Sequence, residues 1–271
     1  MLGINTYGLS HLLNKDFDGT IVKLKKMGVT SLEPCVVMSD AFGMLRRIIY
    51  GIGFGFSGMD GGNWYGERAY YKAIDRTEKL GVDVLSVHCA LCDVSPRILD
   101  RMIPHALDMF IMRRIANFVV SLNIKSKEEA DSYIPILERF IELMTPAGGR
   151  VVYHNHDCET KNGVLDYLMS SVPRLELELD AGWAAFAGVD PIEVAEKYEG
   201  RLRMLHLKDF ANTTDRRSFV PIGDGILPLE DLVGFADSRN VLLVIDQDKS
   251  KDMMRDISRS IDNIRKYSYR V

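Results

Sequence analysis

The sequence lacks any apolar run approaching the roughly 20 residues that span a bilayer, so a membrane-spanning helix is not expected. It opens MLGINTYGLS, with no basic segment leading into an apolar stretch. The pattern of a secretory leader is therefore missing, and the cytoplasm is the expected compartment. Only 4 cysteines occur in 271 residues, too few for the cross-linked frameworks that stabilise small secreted domains. Charge of one sign is lacking too: 34 Lys and Arg face 38 Asp and Glu, a formal net charge of -4. The basic residues form no tail or cluster that tracks a phosphate backbone, which argues against a nucleic-acid partner and for a small molecule.

What is present is a repeat of short Val-, Ile- and Leu-rich runs, each followed by a segment with apolar positions three and four apart. The runs fall at 2–6, 30–33, 84–88, 117–121, 150–154, 175–180, 203–207 and 241–246. Helical patterns fill intervals such as 127–144, 190–199 and 250–267. Eight alternations predict an α/β fold, a single (β/α)8 barrel over residues 1–271 with no linker. One segment departs from the repeat. Residues 36–66 are rich in glycine and aromatics and too long for an ordinary connection; they read either as a lid or as a series of turns.

In such a barrel the reactive groups lie where the strands end. Here the later ends are polar: Tyr153-His154-Asn155-His156-Asp157, Asp180-Ala181-Gly182-Trp183, His206-Leu207-Lys208-Asp209 and Asp246-Gln247-Asp248. His154, Asp180, His206 and Asp246 thus arise from four consecutive strand ends, close enough to converge on one divalent ion. Two nitrogen and two oxygen donors suit Mn, Fe, Co, Zn or Mg. Singly, each residue also reads as a structural histidine or a helix cap.

These fragments, with Gly188-Val189-Asp190-Pro191 and Gly223-Asp224-Gly225, resemble the xylose isomerase-like barrels, the sugar phosphate isomerase/epimerase group with the endonuclease IV-like proteins. The resemblance spans nearly the whole chain and points to a branch with an HNHD segment. It implies a metal set of Glu, Asp, His and Glu, from which this chain departs twice, with His154 and Asp246 at the glutamate positions. Glu159 is an alternative ligand to His154. The resemblance implies Asp246 as the base that takes a substrate α-proton, with Glu159 and His156 as alternatives.

His88, Glu33 and Asn5 end the earlier strands, and His88 matches a family position that contacts substrate. Lys208 is placed to meet a substrate oxygen or to pair with a carboxylate, and Trp183 to wall a sugar ring or to pack beneath a loop. Substrate contacts are thus expected from His88, Trp183, Lys208 and Glu33. Cys35, Cys89, Cys92 and Cys158 follow strands and read as a thiol-sensitive site or as buried thiols. The Gly223–Gly225 loop reads as a phosphate cradle or as the entry to a helix.

The expected activity is metal-dependent isomerisation or epimerisation of a sugar-like keto or hydroxy substrate through an enediolate. A lyase or dehydratase sharing that intermediate, and an inactive barrel serving as a binding subunit, are the alternatives. Self-association into a homo-oligomer is left open.

Overall fold

A computed structural model describes residues 1–38, 67–84, 86–91 and 95–271. From residue 39 onward, the long glycine- and aromatic-rich segment lies outside the described residues, as does Cys92. The strands of the main sheet are β1 (Leu2–Asn5), β2 (Ser31–Glu33), β3 (Cys35–Met38), β4 (Asp83–Val84), β5 (Ser86–Leu91), β6 (Asn117–Ser121), β7 (Arg150–His154), β8 (Glu176–Asp180) and β9 (Leu202–Leu207). A hairpin of β10 (Asp209–Phe210) and β11 (Phe219–Val220) stands apart, and β12 (Leu242–Ile245) completes the set.

The main sheet runs β3-β5-β6-β7-β8-β9-β12-β1-β2-β4, with every pairing parallel. Its two ends belong together, since β2 and β3 are separated by Pro34 alone and pair with β4 and β5 respectively. The His88 amide donates to Pro34 O at 2.9 Å across the break. The ring is therefore a barrel of eight staves. Register slips by one residue at Pro34: Leu32 faces Val84, whereas Cys35 faces His88. Proline supplies no ladder donor, and the strand absorbs the irregularity there.

Two of the windows read from sequence are longer in the structure. The second strand resumes after Pro34, and the third continues to Leu91, so His88 lies within its strand rather than at its end. The helix expected at 127–144 is two helices, Lys127–Ala130 and Ile134–Met144, separated by a turn ahead of Pro135.

Alternation along each strand sends one set of side chains outward and the other into the barrel. The outward set, including Leu177, Leu179, Leu205, Leu207, Leu243 and Ile245, joins the large apolar core beneath the helices. The inward set begins as a small separate apolar floor of Val119, Val152, Met204 and Val244. Above it the interior becomes polar. Helix Ala181–Phe186 lies close to the end of β9: a Cβ on Gly182 would come within 2.2 Å of Lys208 O, so only glycine permits this approach. No described helix is long and apolar enough to cross a membrane.

Candidate functional site

Above the floor, each stave contributes a buried polar side chain: Asn5, Glu33, His88, Ser121, His154, Glu178 with Asp180, His206, and Asp246 immediately after β12. Contacts across the barrel join these groups into one connected set. Glu33 accepts from Asn5 Nδ2 and Ser86 Oγ at 2.7 Å each and lies 2.8 Å from His206 Nε2. His88 Nε2 is 2.8 Å from Ser121 Oγ, and its Nδ1 is 3.4 Å from Glu33. His154 Nδ1 lies 2.9 Å from Glu178 Oε2. Two imidazoles are thus each anchored by a buried carboxylate, His154 on Glu178 and His206 on Glu33. Such pairing fixes ring orientation in metal sites.

Burial alone would raise the Glu33 carboxyl, but the His206 and His88 rings hold it well below the usual range. His206 is correspondingly raised: burial opposes its charge, and Glu178 and Glu33 overcome that opposition. Burial, then the charges of His88 and His206, depress His154. Burial and the neighbouring Glu33 charge push Glu178 upward.

Toward the mouth, Asp180 ends β8 and caps the next helix, its Oδ1 accepting from Trp183 N at 2.8 Å. Asn155 clamps the Asp180 backbone, accepting from its amide at 3.0 Å and donating to its carbonyl at 3.3 Å. The other oxygen, Oδ2, faces His154 Nε2 at 3.6 Å. Asp246 Oδ2 is 3.5 Å from His206 Nδ1. Asp180 Oδ2, His206 Nδ1 and Asp246 Oδ1 are buried without hydrogen-bond partners. Asp180, His206 and Asp246 each offer an atom within 4.8 Å of the others, and so do His88, His154, Glu178 and His206. Unpartnered buried oxygen and nitrogen donors facing one another are costly unless a cation joins them, so the set fits a divalent ion.

Lys208 occupies the same mouth. Its ammonium lies 2.8 Å from Asp246, 3.0 Å from Asp248 and 3.5 Å from Asp180, and 5.1 Å from the Trp183 ring centroid. Burial works against its charge, but the three aspartates hold it firmly protonated. Burial would raise Asp246, yet Lys208 and His206 keep it below the ordinary carboxylate range. Burial dominates at Asp248, which is pushed up to about 6.

The structure thus brings together His154, Asp180, His206, Asp246 and Lys208, with His88 and Glu33 in the layer beneath. Trp183 sits at the rim, packed against Phe210 at 4.8 Å with Arg216 at 4.9 Å over its ring. His156 is half-buried, its ring centroid 5.3 Å from that of His154. Glu159 does not join this set. It reaches back along the start of helix Asp157–Lys161, accepting from His156 N at 2.8 Å, Tyr153 Oη at 2.6 Å and Ile124 N at 3.0 Å. Those bonds close a capping box and tie β7 to the loop after β6. Glu178, Ser121 and Ser86 belong to the assembly although sequence reasoning passed over them, and Asp248, named only as part of a polar strand end, joins through Lys208. The alternation Glu176-Leu177-Glu178-Leu179-Asp180 carried the signal for Glu178, which shares a face with Asp180.

Among the described residues, Cys35, Cys89 and Cys158 are free thiols. Cys35 and Cys89 are buried, and Cys89 packs in the outer core. Cys158 lies 3.2 Å from Asn123 Oδ1, its thiol pushed up to about 12, first by burial and then by Glu159.

A family model described as a xylose isomerase-like TIM barrel matches residues 24–266. Among curated proteins, an inosose dehydratase from Geobacillus thermodenitrificans is 34% identical over 89 residues, 31% of this chain and 30% of that protein. Another from Clostridium beijerinckii is 27% identical over 136 residues, 41% of this chain and 45% of its own length. Both matches span less than half of those relatives. A sugar phosphate isomerase/epimerase from Parabacteroides distasonis superposes with a TM-score of 0.73 at 20% identity, covering 96% of this chain and 92% of the other. With the barrel, its polar mouth and the extent of the family match agreeing, the chain belongs to the xylose isomerase-like TIM barrel family.

Proposed function

We propose that this barrel is a divalent-metal-dependent enzyme that removes a proton α to the carbonyl of a sugar-like polyhydroxy ketone and expels a β-hydroxyl as water. His154, Asp180, His206 and Asp246 would hold the cation. When bound, the cation supplies Lewis acidity that polarises the substrate carbonyl.

The chain's own groups do the rest. Glu178 and Glu33 orient the His154 and His206 rings. Asp246 takes the α-proton, and the C–H electrons move into the carbonyl to give an enolate. Lys208 donates to substrate oxygen beside Asp246. The enolate electrons then form the α,β double bond as the β C–O bond breaks, and His156 gives the leaving hydroxyl its proton. The walls around Asp246 and Lys208 exclude water and strengthen each of these polar contacts.

The observation that carries this reading is the unlike pair at the two ends of the β7-β8-β9-β12 arc: an imidazole, His154, and a carboxylate, Asp246. Epimerisation asks one group to take a proton and a second group, on the opposite face, to return one, and the symmetric glutamate pair that the family resemblance implies for this is absent here. Elimination asks for a single base and an acid elsewhere. The dehydratase names of the curated relatives favour the same outcome. Isomerisation or epimerisation shares the first step and differs only in returning the proton.

The test is incubation of manganese-loaded protein with keto-inositols and ketohexoses in deuterated water, followed by NMR and mass analysis. Elimination appears as loss of one water with an unsaturated ketone. Deuterium at the α-carbon of a rearranged sugar makes the protein an isomerase or epimerase. Unchanged substrates across the panel would sink the catalytic reading and bring the binding-subunit alternative forward.

A further inference from the structure

Barrels of this architecture often hold a substrate phosphate on backbone amides after the seventh strand. In this chain that position is the loop Gly223–Asp224–Gly225, and its amides point at the chain's own carboxylate. Gly223 N and Gly225 N donate to Asp209 Oδ2 at 2.9 and 3.0 Å. Phe210 N and Leu227 N donate to Oδ1 at 2.9 and 3.0 Å. Four N–H groups converge on a side chain only 2% exposed, so the nest is an anion site whose anion is built in.

The loop is shaped tightly around that occupant. A Cβ on Gly225 would lie 2.1 Å from Phe210 O and 2.5 Å from the Asp209 carboxylate. Gly223 adopts φ +88°, where a side chain would be strained. Opening the nest for a ligand would deprive four N–H groups of their acceptor, those of Phe210 and Leu227 in buried residues, or require Asp209 to leave its pocket. The helix that follows, Leu229–Arg239, carries Glu230 and Asp231 in its first turn, and both repel an incoming anion. Around Trp183, the Lys208 ammonium is paired with Asp246 and Asp248, and Arg216 donates to Asp157 at 2.9 Å.

We infer that this loop is closed to phosphate and that the site takes an unphosphorylated polyhydroxy ketone, with Asp209 standing where a substrate phosphate would sit. The substrate class rests on the enolisation reading above; the closed nest does not. It separates this chain from what the name sugar phosphate isomerase/epimerase says of its structural relative.

The test is calorimetric titration of the magnesium-loaded protein with inorganic phosphate, then with a ketohexose and its phosphate monoester. No saturable phosphate binding up to about 5 mM, and an ester bound no more tightly than the free ketose, are the expected results. Saturable phosphate binding, or an ester bound about tenfold more tightly than the ketose, overturns the inference. Asp209→Ala adds a gain-of-function arm: the emptied amides should acquire phosphate affinity, read as thermal stabilisation by phosphate that the parent lacks. Should that variant fail to fold, the titration of the parent protein decides alone. If no ketone undergoes α-exchange, the enolisation reading fails while the phosphate titration still decides whether the nest is closed.

Discussion

Glu33 gives the sharpest quantitative prediction, because its buried carboxylate anchors three neighbours at 2.7–2.8 Å: Asn5, Ser86 and His206. Glu33→Ala leaves the Asn5 amide and the His206 ring without their acceptor, while the Ser86 hydroxyl can turn elsewhere. Breaking a buried pair of this kind costs about 3–5 kcal/mol. At about 2 °C per kcal/mol for a domain of this size, thermal unfolding by circular dichroism should fall by roughly 6–10 °C. Glu33→Gln should be much milder. Its carbonyl oxygen can keep the Oε1 position facing Asn5 and His206, while its amide turns to a Ser86 hydroxyl able to accept. The expected loss is about 1–2 kcal/mol, a fall of roughly 2–4 °C. The reasoning fails if the two variants melt together, or if Glu33→Ala melts with the parent.

Because the Glu33 carboxyl is held below its ordinary value, its stabilising contribution is present above the unfolded value of about 4.3 and is lost as pH falls through the lower folded value. Urea titrations should therefore show the gap between parent and Glu33→Gln widest near neutrality and shrinking in acid; a gap that widens in acid contradicts the sign. Glu159→Gln should lower stability by about 1–3 kcal/mol through the Tyr153 and Ile124 contacts while leaving manganese affinity unchanged, since Glu159 lies outside the cluster. A large fall in manganese affinity would return Glu159 to the ligand set. Lys208→Met removes a positive charge from beside Asp180 and Asp246, so calorimetry should find manganese binding strengthened by about tenfold or more; weakened binding would mean that the ammonium supports the ion rather than competing with it.

The barrel and the identity of most mouth residues were legible because βα units punctuate the sequence clearly and a strand end marks where a polar side chain enters the mouth. His154, Asp180, His206 and Asp246 stood out only as a set at four consecutive strand ends, since each alone also reads as a structural histidine or a helix cap. The second strand was cut short because Pro34 reads as a stop, whereas the fold accepts it as a one-residue register slip within a stave. Glu159 misled for a local reason. Position three of a short helix turned its carboxylate back to the His156 amide, a capping box that the spacing alone allowed but did not require. Asp209 was named only as part of a motif. Its role as internal anion depends on a loop whose glycines lie fourteen and sixteen residues further along, and closure of that distance is a property of the fold.

The most direct measurement is the divalent metal content of the native protein by mass spectrometry, made alongside Asp180→Ala, His206→Ala and Glu159→Gln variants confirmed as folded. The account predicts one tightly held ion per chain, retained in Glu159→Gln and lost in the other two. A folded parent protein that holds no ion, even after incubation with manganese, cobalt or zinc, would contradict it.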